Sequence, residues 1–168
     1  MISRSAEGQN IGSGGAARAG GKLRKFAGLP ASDKKQLLRA AFWLPVVHFR
    51  LKRSGLQSCL RWLGAERRGD AAPEAFDAER HEQARRCGRA VALASRHGLV
   101  AGTCLSRSLT VMLLMSRRQI AGRLRVGVNL DNGVLDAHAW VEVGGVPLEP
   151  TEARFEPFPG FDTAFGSQ

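Results

Sequence analysis

Apolar residues recur at helical spacing in three stretches and then switch to strict alternation, which divides the chain into a helical part followed by a sheet. Ser32-Asp33-Lys34-Lys35 reads as a helix start with Ser32 as cap, and Leu37, Leu38, Ala41, Phe42 and Leu44 follow on one broad face. Pro45 lacks an N–H and is expected to kink or end that helix. Val46, Val47, Phe49 and Leu51 continue the apolar surface, and Leu56, Leu60 and Leu63, with Trp62 nearby, add a further turn or two. Gly64 to Pro73 reads as a polar connection.

A second helix is predicted from about Pro73, or a few residues later, to His97. Ala84, Cys87, Gly88, Val91, Ala92 and Leu93 form its buried face, and Gly98 follows as its terminating glycine. A third spans Cys104 to about Ile120, with Thr103 as N-cap and Leu105, Leu109, Met112, Leu113 and Ile120 facing the core. After Gly122 the period becomes two: Leu124, Val126, Val128 and Leu130 alternate with Arg125, Gly127 and Asn129. Asp131-Asn132-Gly133 marks a turn, and a second strand runs from roughly Leu135 to Val143. Gly144-Gly145 can supply a tight hairpin, with Val146 to Glu149 returning. The rest, with Pro150, Pro157 and Pro159, reads as irregular and surface-wrapping. Helices first and an antiparallel meander afterwards make an α+β domain.

Residues 1–22 are rich in Gly, Ser and Ala without periodicity and read as a mobile tail, leaving residues 23–168 as one domain. Hydrophobic residues make up 43% and charged residues 24% of the 168, ordinary globular composition with enough chain for a single core. Three cysteines, Cys59, Cys87 and Cys104, are an odd count without tight spacing, which argues against a disulfide framework and a zinc site and for a reducing cytoplasm. Neither a secretory signal nor an apolar run of membrane-spanning length is visible. His48, His81 and His97 have no metal-like spacing, and no phosphate-binding loop occurs, so the sequence calls for no cofactor. The net charge of +10 points either to an acidic partner or to genome composition.

The candidate chemistry lies in Cys104 and His138. At the first turn of a helix, unpaired amides and the macrodipole stabilise a thiolate. An imidazole within reach can take the thiol proton and return it to a leaving amine, and a third group must hold the imidazole. Hairpin register supplies candidates for that third group. With Gly144 and Gly145 as the two central turn residues, Val143 faces Val146, Trp140 faces Glu149 and His138 faces Thr151. Glu149 then shares the face of His138 as its diagonal neighbour, about 7 Å away between Cβ atoms. Asp136 has the same parity and is the alternative. Glu142 shares it too but reads as a solvated strand carboxylate. Trp140 reads as a shield for the imidazole, a wall of the substrate groove or an ordinary core aromatic. Cys87 and Cys59 read as small buried hydrophobes.

Four segments carry a family likeness: Thr103-Cys104-Leu105-Ser106-Arg107-Ser108-Leu109, Arg117-Arg118-Gln119-Ile120, Leu124-Arg125-Val126-Gly127-Val128, and Ala137-His138-Ala139-Trp140-Val141-Glu142-Val143. Together they resemble the leader peptidases of lasso-peptide biosynthesis, the transglutaminase-like C-terminal half of the microcin-processing B proteins. The resemblance covers about Val91 to Glu149, with a weaker echo in Leu29 to Leu63. It implies a papain/transglutaminase-like fold: N-terminal helices, a central helix carrying the cysteine, then an antiparallel sheet carrying the histidine. It also implies a cytoplasmic cysteine peptidase that removes the leader from a ribosomally made precursor. The partners implied are the precursor (leader) peptide, a separate leader-binding recognition protein and an ATP-dependent lasso cyclase, with no nucleic acid. Residues before the first helix are too few and too glycine-rich for a fused leader-binding domain, so the stand-alone form is expected. The family's third catalytic residue is usually an aspartate just after the hairpin. This chain has no Asp between Asp136 and Asp162, which leaves Glu149 to substitute.

Two other readings stay open. The same fold can transfer the acyl group to an amine instead of water. Alternatively the chain is a basic module, with a vestigial Cys104–His138 pair, that docks an acidic peptide or nucleic acid.

Overall fold

The computed structural model describes residues 30–64, 76–131, 134–149 and 155–165. The tail at 1–22, the domain boundary at 23, most of the connection expected over Gly64 to Pro73, the Asn132-Gly133 turn, Pro150 and Thr151 lie outside them. Among the described residues, three helices precede the sheet: α1 Ala31–Trp62, α2 Ala78–His97 and α3 Cys104–Ser116. Four strands follow, β1 Gly122–Asp131, β2 Val134–Val143, β3 Val146–Pro147 and β4 Glu156–Phe165, antiparallel in the order β3-β2-β1-β4. The α+β expectation holds, helices first and sheet after.

Several boundaries differ from the sequence reading for identifiable reasons. Helix α1 begins at Ala31 behind Pro30, so Ser32 is not its cap. Pro45 sits inside α1 without ending it, and the break in helical geometry comes at Gly55, whose φ of 72° is the left-handed conformation glycine adopts without steric cost. Asp77 caps α2, accepting from the amides of Glu79 at 2.9 Å and Arg80 at 3.2 Å. Gly98 follows α2 as expected, but at φ −87°; it is needed for space, since a Cβ there would lie 2.4 Å from the Ala94 carbonyl oxygen.

Beyond the hairpin the differences are larger. β3 ends at Pro147, short of the Glu149 predicted. The segment expected to be irregular is strand β4, which among the described residues pairs with β1 alone. An edge strand tolerates prolines because one side of its backbone has no ladder to complete.

The core lies between the helices and one face of the sheet. Ala40, Leu44 and Val47 of α1, Ala84, Cys87 and Val91 of α2 and Leu109, Met112 and Met115 of α3 are buried together. Leu124 of β1 and Ala139, Val141 and Val143 of β2 complete it from below. Side chains alternate along a strand, so His138, Trp140 and Glu142 take the opposite face of β2. There Trp140 and Phe155 are buried, at 2% and 6% exposure. Among the described residues, no helix is long and apolar enough to cross a membrane.

Candidate active site

Cys104 is the first residue of α3, and its position follows from the residues before it. Gly102 takes a φ of 68°, and a Cβ there would meet the Ser106 hydroxyl at 2.9 Å and a Leu44 methyl at 3.1 Å. Glycine thus lets the chain turn sharply into the helix. Thr103 then closes a reciprocal capping box: its hydroxyl accepts from the Ser106 amide at 3.2 Å, and its own amide donates to the Ser106 hydroxyl at 2.8 Å. Ser106 is fully buried, and the ring Nδ1 of His48, from α1, lies 3.4 Å from its hydroxyl. The start of α3 is therefore fixed on both sides, with Cys104 half-buried at its tip.

His138 is half-buried on β2, opposite Gly127 of β1. Its ring stacks on Phe155 at 4.8 Å between centroids, planes 25° apart, and lies parallel to Trp140 at 6.4 Å. Gly127 makes room for this arrangement, because a Cβ would come within 2.7 Å of the Trp140 ring and 2.3 Å of the Glu156 carbonyl oxygen. Trp140 is 2% exposed, buried between Phe155 and the face of the imidazole.

The expectation for Glu142 is corrected. This residue is 8% exposed, not solvated: the Trp140 indole N–H donates to one carboxylate oxygen at 3.0 Å and the Arg125 Nε donates to the other at 3.0 Å. Paired in this way, the buried charge is compensated. The register could have announced it, since Arg125 pairs with Trp140 and is thus the diagonal neighbour of Glu142.

The hairpin register is as expected where strands pair. Val143 faces Val146 and Glu142 faces Pro147, with Gly144 and Gly145 at φ 61° and 78° between them. The Leu148 amide still donates to the Val141 carbonyl at 3.1 Å, after which Leu148 and Glu149 bend away. His81 of α2 holds this arm, its Nε2 lying 3.3 Å from the Pro147 carbonyl oxygen.

Where the arm leaves β2, a cleft of about 90 Å³ opens between α2, α3 and the strand edge, and Cys104, His138 and Glu149 all line it. Arg107 and Ser108 of α3 and Gly88 of α2 are also on its wall. Asp136 is exposed on β2, opposite Asn129, outside that lining set. Cys59 and Cys87 are buried in the core, and burial pushes both thiols up from their ordinary pKa. Among the described residues, no group of three or more His, Cys, Asp or Glu could hold a metal.

This arrangement can present a thiol at a helix N-terminus, an imidazole and a carboxylate to one bound group. The sequence reading missed Ser108, whose buried hydroxyl donates to the Ala139 carbonyl at 2.8 Å. Its place one turn after Cys104 was the available signal.

A family model described as the transglutaminase-like superfamily matches residues 43–159, a span that contains Cys104, His138 and Glu149. No curated protein and no solved structure matches the chain.

Proposed function

The chain belongs to the transglutaminase-like superfamily, and from that premise we propose that it is a cysteine peptidase that removes the leader from a ribosomally made lasso-peptide precursor. The observation that carries this reading is the single cleft lined by Cys104, His138 and Glu149. Sequence likeness to the lasso leader peptidases supplies the substrate class.

In the proposed reaction His138 takes the Cys104 proton, and the thiolate attacks the carbonyl of the last leader residue. The backbone N–H of Cys104 donates to the developing oxyanion. The tetrahedral adduct collapses as the C–N bond breaks, with the imidazolium protonating the departing amine of the core peptide. Water then attacks the thioester, His138 accepting its proton, and the leader leaves as a carboxylic acid while the thiol is restored. Glu149 holds the imidazole and stabilises its charged form. A separate leader-binding protein delivers the precursor, and an ATP-dependent cyclase consumes the freed amine.

The test is incubation of the full chain with precursor, with and without the leader-binding protein, followed by mass spectrometry. Leader and core masses should sum to precursor plus one water, and the binding protein should raise the rate by raising local substrate concentration. Intact precursor in the presence of both proteins would overturn the peptidase reading. Leader conjugated to an added amine would move the reaction to acyl transfer.

A further inference from the structure

Gly88 is a glycine that the fold does not require. It lies in the interior of α2 without a positive φ, and a Cβ built on it would meet no atom of the described residues within 4 Å. A Cβ on Gly98, Gly102, Gly122, Gly127 or Gly144 would instead approach a neighbour to 2.9 Å or less. Glycine is among the least favourable residues in a helix interior, so a position that neither conformation nor packing explains points outward. In front of Gly88 lies the cleft of Cys104, His138 and Glu149. Ala92, one turn along the same face of α2, lines it as well. At these two positions the wall of the cleft carries nothing larger than a methyl group.

The facing wall carries charge. Cys104, Arg107, Ser108 and Val111 recur on one face of α3 and line the cleft together. Ser108 is committed to the Ala139 carbonyl. Arg107 is half-buried, and its side chain forms no hydrogen bond or ion pair among the described residues. Its Cγ would lie 3.6 Å from a Cβ on Gly102, so the stem runs back along the first turn toward the end that bears Cys104. A guanidinium offers five donors in a planar fork that matches a carboxylate. The cleft of about 90 Å³ is well below the roughly 300–1,000 Å³ of a site for a whole small molecule, so it suits one side chain of a longer chain.

We propose that Gly88, Ala92 and Arg107 form the subsite for an acidic side chain of the substrate residue next to the cleaved bond. Gly88 and Ala92 leave the space, and the Arg107 guanidinium pairs with the carboxylate. That the occupant belongs to a peptide rests on the peptidase reading; the space and the charge do not. Arg107 and Cys104 are three apart on α3, about 5–6 Å between Cβ atoms, so a carboxylate held by Arg107 belongs to a residue flanking the attacked carbonyl. The net charge of +10 favours an acidic peptide in the same sense.

Alkylation of Cys104 reads the charge without any cleavage. Iodoacetate carries a carboxylate and iodoacetamide is its neutral counterpart. Their rates at Cys104 are compared on the full folded chain, with the urea-unfolded chain as reference. The folded chain should favour iodoacetate by about tenfold more than the unfolded chain, the size of one charge-assisted hydrogen bond, and less so in high salt. Arg107→Gln should abolish that preference and Arg107→Lys should keep part of it. Preference retained in Arg107→Gln would hand the effect to His138 and overturn the proposal, as would its absence from the parent protein. Gly88→Ala should raise the melting temperature by about 2–4 °C, since the fold has no use for the glycine. A lower melting temperature would assign Gly88 to the fold and overturn its place in the subsite. Gly88→Leu should melt no lower than the parent yet slow iodoacetate by about tenfold or more, because its side chain fills the cleft.

Cleavage reads the occupant. Precursors are made with Asp or Asn at each residue flanking the cleaved bond. At one of the two positions the parent protein should cleave the Asp form with about tenfold higher kcat/KM, and Arg107→Gln should cleave both forms alike. Equal cleavage of Asp and Asn forms at both positions by the parent would overturn the acidic occupant. Alkylation as expected with no precursor cleaved would sink the peptidase reading and leave the carboxylate site at Arg107 standing.

Discussion

Ser108 donates its hydroxyl proton to the carbonyl of Ala139 across 2.8 Å, joining the helix that carries Cys104 to the strand that carries His138. Carbonyls two residues apart on a strand point the same way in the sheet plane. Val141 directs its carbonyl to the Leu148 amide, so that of Ala139 points to the edge that the departing arm leaves open. Ser108 fills the vacated place. The tie falls one turn after the cysteine and one residue after the histidine, so it helps set the spacing between the two halves of the site.

Ser108→Ala should therefore affect both stability and rate. The lost hydrogen bond leaves a buried carbonyl unpaired, a cost of about 1–3 kcal/mol that a thermal melt would register. Displacement of α3 from β2 should lower kcat by about ten- to a hundredfold with little change in KM, because misplaced reacting groups lose rate before they lose binding. Unchanged kcat in a destabilised variant would reduce Ser108 to a purely structural residue.

The three thiols should behave differently toward alkylation. Cys104 is half-buried at a helix start, while Cys59 and Cys87 are buried with thiols pushed up by desolvation. Iodoacetamide near neutral pH should give one adduct on the folded protein, mapped to Cys104 by peptide mass, and cleavage activity should disappear in step. Cys104→Ala should abolish cleavage with the fold intact, and Cys104→Ser should be very poor. Cys59→Ala and Cys87→Ala should retain most activity.

The same two buried thiols imply a stability limit at high pH. Their folded pKa values lie above the ordinary 9.0, so the unfolded chain ionises first. Their contribution is fully present below about pH 9 and is lost as pH rises through the folded values. The melting temperature should fall on the alkaline side, and the double variant Cys59→Ala/Cys87→Ala should show a shallower fall. A parallel decline in both proteins would assign the effect to other groups.

The elements that carry the candidate site could be read from residue types because local rules governed them. Thr103 and Gly102 placed Cys104 at a helix start, and two glycines fixed the pairing of Val143 with Val146. What stayed hidden depends on tertiary company. Pro157 disguised β4, although as an edge strand it needs ladder bonds on one side only. Glu142 looked solvated because a carboxylate is costly to bury alone, and only its Trp140 and Arg125 partners offset that cost. Pro45 looked like a helix end, yet α1 passes through it and breaks at Gly55.

The buried carboxylate has its own consequence. Glu142→Gln removes the charge that compensates Arg125 and should cost about 2 kcal/mol, the range for hydrogen bonds to charged groups. Trp140→Phe keeps an aromatic ring beside His138 but deletes the indole donor to a charged carboxylate, so it should cost about 2 kcal/mol or more. If the network positions the imidazole, both variants should lower kcat more than their melting temperatures suggest, with the pH profile of kcat shifted. Normal kcat in both would confine Glu142 to holding the sheet together.

The proposed reaction needs a third group, and two carboxylates that the fold places differently are its candidates. Both are exposed, but Glu149 lies on the bend that leaves β2 and lines the cleft with Cys104 and His138, whereas Asp136 lies further back on the strand, outside that lining. An orienting carboxylate must stabilise the imidazolium that forms as the thiol ionises, and a neutral amide can hold the ring but cannot supply that charge. Glu149→Gln should therefore fold normally and lose a large part of kcat, with KM nearly unchanged. Glu149→Asp should recover only part of it, because the carboxylate sits one methylene further from the ring. Asp136→Asn should leave the rate close to that of the parent protein. Steady-state kinetics on the precursor, with melts as the control for folding, distinguish the two. A rate loss in Asp136→Asn alongside a normal Glu149→Gln would transfer the role to Asp136. The roles proposed for Cys104 and His138 would stand in either case, since neither the helix start nor the strand depends on which carboxylate faces the ring.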